Sequence, residues 1–87
     1  MLKIQRLDEV DVVFRVGGRL TGENVGEISS LLAEELTDRY IVLDLKDVIL
    51  ADRASVHFLR ACERDGIALR NCPPYIREWI EREKEQP

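Results

Sequence analysis

The amino-acid sequence predicts an α/β domain. It is built on one mixed, mostly parallel four-stranded sheet in the order β-β-α-β-α-β-α, with the helices on one face. Three observations carry this expectation. Short stretches with a two-residue apolar period alternate with stretches of helical period. The link Leu7 to Asp11 is short and acidic, which suits an antiparallel hairpin, whereas the later strands are separated by helices and should run parallel. Each strand also has one strongly apolar face and one mixed face bearing a charge. A sheet covered on both sides would read as continuous apolar runs instead. Right-handed crossovers give the same one-sided arrangement.

The first strand is expected near Leu2 to Arg6 and the second near Val12 to Val16, ended by Gly17 and Gly18. In the second, Val12, Phe14 and Val16 oppose Val13 and Arg15. The first helix should run from about Gly22 to Leu36, with Thr21 as N-cap. It should bury Val25, Ile28, Leu32 and Leu36, with Glu23, Glu27, Ser30 and Glu34 as a solvated acidic stripe. The third strand is Tyr40 to Leu45, where Ile41, Leu43 and Leu45 oppose Val42 and Asp44. The second helix spans about Arg53 to Asp65, with Asp52 as N-cap and Gly66 as its stop. The fourth strand is Ile67 to Arg70. The third helix begins at Pro73 or Pro74, where proline suits a first turn, and reaches about Glu83. It should bury Ile76, Trp79, Ile80 and Tyr75, with Glu78 and Arg82 as an i, i+4 pair. Arg15, Asp44 and Arg70 should share the helix-free face.

Composition bounds the function. At 87 residues the chain is read as a single domain over residues 1–87, with 83–87 as a frayed tail. An apolar fraction of 45% supports one core, and a charged fraction of 34% supports a soluble surface. The net charge of −4, from 13 basic and 17 acidic residues, argues against nucleic acid as the main ligand. No apolar run approaches the ~20 residues of a membrane span, so no membrane insertion is expected. The N-terminal residues lack a signal-peptide h-region, so the expected location is the cytoplasm. Cys62, Cys72 and the lone His57 do not make a zinc site, and the thiols are read as structural.

No catalytic constellation is visible. Asp52, Ser55 and His57 suggest a triad, but residues two apart diverge by about 160–200° around a helix, so Ser55 and His57 cannot meet. Ser55 is expected to bond with the cap or lie against the core. Gly17-Gly18 lacks the spacing of a phosphate-binding loop. Asp44, Asp47 and Asp52 are read as a cap plus solvated carboxylates rather than a cation site. No metal and no cofactor is expected.

The second helix carries the functional signal. Ala54, Ser55, Phe58, Leu59, Ala61 and Cys62 fall on one arc, read as the core side. Arg53, His57, Arg60 and Arg64 form a basic stripe, with Val56 beside it as an apolar anchor among cations. Arg60 and Arg64 suit the helix C-terminus, but Arg53 sits at the end the dipole disfavours for a cation.

Gly18-Arg19-Leu20-Thr21, Leu43-Asp44-Leu45-Lys46-Asp47-Val48, Asp52-Arg53-Ala54-Ser55 and Asn71-Cys72-Pro73-Pro74 follow one another in an order that resembles the STAS domain family, the fold of bacterial anti-sigma factor antagonists. In that family the third motif reads Asp-Ser-Ser-Gly, and one serine is usually the phosphoacceptor. Here the aspartate stands, but the family phosphosite position carries Ala54, and Ser55 is a poor substitute one residue away. Longer members would place about one more strand and one more helix beside the third helix. The resemblance implies a non-enzymatic regulatory module whose second-helix start meets a protein partner: an anti-sigma kinase-like protein, or an ATPase subunit of a membrane transporter. A homodimer is compatible with it. The alternative it allows is a small anionic ligand or nucleotide bound at the loop before the second helix, near Arg53.

Overall fold

The N-terminal hairpin pairs β1 (Leu2–Asp8) with β2 (Val12–Leu20), antiparallel, from Leu2 opposite Gly18 to Asp8 opposite Val12. In this computed structural model, residues 2–35 and 38–85 are described. The other elements are α1 (Val25–Glu34), β3 (Ile41–Ala51), α2 (Arg53–Arg64), β4 (Ala68–Arg70) and α3 (Pro74–Glu85). The strands form one sheet in the order β1-β2-β3-β4, with β2, β3 and β4 parallel.

One apolar cluster holds these layers together. The sheet supplies Val12, Phe14, Val16, Leu43, Leu45 and Val48, and the helices supply Ile28, Val56, Leu59, Cys62, Ile76 and Ile80. Alternate residues of the same strands therefore meet all the described helices on one face, as the charged alternation required. The opposite face carries Arg15, Asp44 and Arg70. Asp44 is buried there, with Arg70 at 3.7 Å, Arg15 at 4.0 Å, the Asn71 amide at 3.2 Å and the Lys46 N–H at 3.1 Å. Burial pushes the Asp44 carboxyl up, but those hydrogen bonds and the two guanidinium groups together hold it below its ordinary value.

Several boundaries differ from the sequence expectation. Gly17 and Gly18 do not end β2; the strand runs on to Leu20, and β3 to Ala51. The register explains why. Arg15 opposes Asp44 but Gly17 opposes Asp47, and Gly18 opposes Val48 but Arg19 opposes Leu50. Two β-bulges thus insert extra β3 residues, turning Val48 and Ala51 into the core and leaving Ile49 and Leu50 exposed. A side chain at Gly17 would put its Cβ 3.1 Å from the Asp47 Cβ, and Gly18 has φ of 91°, so the glycines permit the bulge.

Helix α1 starts at Val25, after Asn24, and Thr21 is not its cap. The Thr21 carbonyl instead accepts the N–H groups of Asn24 and Val25 in a preceding turn. Ile28 is buried, Val25 and Leu32 are half-buried, and Leu36 lies outside the described residues. Helix α2 ends as expected at a left-handed Gly66, with φ of 93°. The Ile67 N–H reaches the Cys62 carbonyl and the Gly66 N–H the Glu63 carbonyl, a Schellman closure. Strand β4 starts at Ala68, one residue later than expected. Tyr75, expected inside, is 47% exposed.

The residues expected to form a frayed tail are described as far as Glu85. Helix α3 continues to Glu85, Glu83 is buried, and Gln86 and Pro87 lie outside the described residues. Arg77 ties α3 to α2 through a two-pronged bond to Glu63, at 2.9 and 3.0 Å, and Lys84 reaches the same carboxylate at 3.2 Å. The expected Glu78–Arg82 pair forms at 2.8 Å. Burial pushes the Cys62 thiol up to about 11, so at neutral pH it is an un-ionised core group and not a nucleophile.

Candidate functional site

The candidate site is the start of α2, where β3 hands over to the helix. Asp52 is extended, with φ of −111° and ψ of 179°, as an N-cap requires. Its Oδ1 accepts the Ser55 N–H at 2.9 Å, and the Ser55 Oγ accepts the Asp52 N–H at 2.9 Å. This is a reciprocal capping box with serine in the place usually taken by a longer side chain. The Ser55 hydroxyl also donates to the Asp52 carbonyl at 2.8 Å. Ser55 is fully buried and its hydroxyl is engaged as both donor and acceptor.

The second oxygen of Asp52 does different work. Oδ2 accepts the Gly22 N–H at 2.9 Å, which ties the start of α2 to the turn before α1. Gly22 approaches so closely that a Cβ there would lie 2.9 Å from the Ala54 Cβ. Asp52 is therefore a cap and a cross-brace. The Gly22 N–H, then the Ser55 N–H, hold its carboxyl below the ordinary aspartate value, against a smaller opposing effect of burial.

A depressed folded-state value contributes stability that is present above the unfolded carboxylate range and is lost as pH falls through the folded value. The melting temperature should therefore fall as pH drops below about 4. Asp52→Ala should melt roughly 4–8 °C lower than the parent chain near neutral pH. The two chains should converge in acid. Circular dichroism melts across that range check both outcomes, and parallel curves at all pH values would remove the cap assignment.

The structure divides the residues that the sequence grouped into one basic face. Arg53, His57 and Arg64 are exposed, and Arg60 is half-buried. Ala54, expected on the core side, is exposed. Val56, expected as an exposed anchor, is fully buried. The buried arc is Ser55, Val56, Leu59 and Cys62, rotated toward Val56 because α3 packs on that side with Ile76 and Ile80. A helical wheel fixes relative angles, but it does not say where a neighbouring helix docks.

The stripe also has an acidic partner that sequence reasoning missed. Glu83 of α3 lies 3.4 Å from His57 and 3.7 Å from Arg53, and Arg60 donates to the Glu83 carbonyl at 2.9 Å. The signal was present in the sequence. Ile76, Ile80 and Glu83 fall at i, i+4 and i+7, so Glu83 belongs to the inward face of α3. A shallow hollow of about 340 Å³ lies beside it, lined by Arg53, Trp79, Arg82 and Glu83.

Among the described residues no group of His, Cys, Asp or Glu is placed to hold a metal ion. Asp44 and Asp52 direct their carboxylates to separate hydrogen-bond networks. No described helix is long and apolar enough to cross a membrane.

With 97% of the chain aligned, one solved structure superposes at a TM-score of 0.58 and 17% identity. It is an uncharacterised protein of the DUF3478 family from Shewanella loihica, described as having a SpoIIAA-like fold, and the match covers 76% of it. Another is an antisigma-factor antagonist STAS domain from Rhodobacter sphaeroides, with a TM-score of 0.57 and 19% identity, over 79% of this chain and 83% of that one. The chain has a STAS-like fold. No family model and no curated protein matches it. At the capped start of α2, Ala54 is exposed and Ser55 is buried.

Proposed function

We propose that this chain is a non-enzymatic regulatory module that docks a protein partner through the start and exposed face of α2, without being phosphorylated at the family position. One observation carries this reading. The helix start is braced from inside by Asp52, Ser55 and Gly22, while Arg53, Ala54 and His57 face outward. A rigid, mostly positive surface with no exposed hydroxyl suits constant recognition of an acidic protein face. Partners in keeping with the fold are an anti-sigma kinase-like protein or a transporter ATPase subunit. The nucleotide alternative is weakened because the Asp52 carboxylate already occupies the place an anion would take at this helix end.

Binding should be lost in a variant carrying Arg53→Ala and Ala54→Glu, both at exposed positions, while the melting curve stays close to that of the parent. Binding by the parent chain should weaken as salt rises, since rim charges are screened over about 8–10 Å. Surface binding to purified candidate partners measures both effects. Equal affinity of parent and variant would show that α2 presents only a solvated face.

Phosphorylation gives a second expected outcome. Incubation with ATP and a kinase active on STAS domains should leave Ser55 unmodified, because its hydroxyl is buried and bonded on both sides. The Ala54→Ser variant should accept phosphate, since position 54 is exposed. Peptide mapping by mass spectrometry reads both, and stoichiometric phosphate on Ser55 would refute the loss of the switch.

A further inference from the structure

The face of the sheet turned away from the helices carries a hollow of about 740 Å³, within the range of roughly 300–1,000 Å³ usual for small-molecule sites. Its floor is Gly17. The register places Lys3 on one side of that glycine and Asp47 on the other, in the same row across β1, β2 and β3. Two strand spacings separate their Cα atoms by roughly 10 Å, and Gly17 adds no side chain to the space between them. In the adjoining row Gln5 pairs with Arg15. Ile49, 72% exposed because of the β3 bulge, forms an apolar edge.

The charges around this hollow have capacity to spare. Lys3 and Asp47 have no ion pair or hydrogen-bond partner through their side chains among the described residues. Arg15 reaches Asp44 only at 4.0 Å, while that carboxylate is already met by Arg70, Asn71 and the Lys46 N–H. The Arg15 guanidinium therefore keeps donors for another acceptor. An anion alone would suit Lys3 and Arg15 but face Asp47. A cation alone would suit Asp47 but face two positive groups. A molecule bearing both charges satisfies the two walls together, and an apolar group on it would lie along Ile49.

We infer that this hollow binds a small zwitterion with an apolar substituent, of the class of free aliphatic α-amino acids. Its carboxylate would face Arg15 and Lys3, its ammonium Asp47, and its side chain Ile49. The site is distinct from the α2 surface and does not depend on it.

Titration of the intact chain with leucine, followed by amide NMR, tests the assignment. Saturable shifts are expected at Lys3, Gln5, Arg15, Gly17, Asp47 and Ile49. N-acetylleucine, which lacks the ammonium, and leucinamide, which lacks the carboxylate, should each bind about tenfold more weakly, the effect of losing one charge-assisted contact. Asp47→Asn should abolish the preference for leucine over N-acetylleucine. Arg15→Gln should weaken leucine about tenfold, and Lys3→Gln gives the same readout independently should Arg15→Gln disturb the Asp44 cluster. Shifts that do not saturate, shifts centred on α2, or equal binding of leucine and leucinamide would each overturn the inference.

Discussion

Replacing Val56 with aspartate is expected to leave the chain unfolded. Val56 is fully buried in the cluster shared by the sheet and the helices. The substitution removes apolar burial worth about 1.5–3 kcal/mol. It also introduces a carboxylate with no partner, which costs several kcal/mol more even after it takes up a proton. The total stability of an 87-residue domain is about 4–13 kcal/mol, so little or nothing remains. Ala54→Glu, two residues earlier and exposed, should leave the fold intact. The two variants together measure the rotation of α2 about its axis. Far-ultraviolet circular dichroism and amide NMR dispersion distinguish the outcomes, and a folded Val56→Asp chain would mean that the helix is turned as the sequence alone suggested.

That contrast shows where the sequence was sufficient. The strand and helix order, the one-sided sheet, the Asp52 cap and the Gly66 stop are all local or period-two signals, written in residues adjacent in the chain. The phase of α2 is a tertiary property. Val56 lies at one edge of the true arc and Ala54 lies beyond its other edge, and the helix's own pattern does not choose between them until α3 docks. The same limit hid the role of Gly17 and Gly18. Glycine in a strand pattern marks either an end or a bulge, and the close approach of Asp47 decides the matter. Glu83 was legible in principle from its spacing with Ile76 and Ile80, but its charge argued for solvent more strongly than its position argued for burial. At the candidate site, the cap and the local bonding of Ser55 were readable, whereas the brace from Gly22 spans 30 residues and left no local trace.

Ile80→Ala is expected to cost about 2–5 kcal/mol, the range for removing a buried aliphatic side chain that its surroundings cannot refill. Ile80 is fully buried, and with Ile76 it fixes α3 against the core. Its neighbours can do little to fill the gap. The half-buried Trp79 lies on the flank of α3, and the Arg77–Glu63 bond fixes the helix nearer its start. The cost should therefore appear mainly as loosening of the C-terminal half of α3. Hydrogen exchange there should quicken more than in β2 or β3, and chemical denaturation should report the global loss. The effect reaches the candidate site, because Glu83 lies one turn beyond Ile80 and sits between Arg53 and His57. As α3 loosens, Arg53 loses its acidic neighbour and the face of α2 becomes more positive. Partner binding by the Ile80→Ala chain should then depend more steeply on salt than binding by the parent. A loss below about 0.5 kcal/mol, the range of an ordinary surface substitution, with unchanged exchange in α3, would show that the helix is anchored elsewhere and that Glu83 does not set the charge of the α2 face.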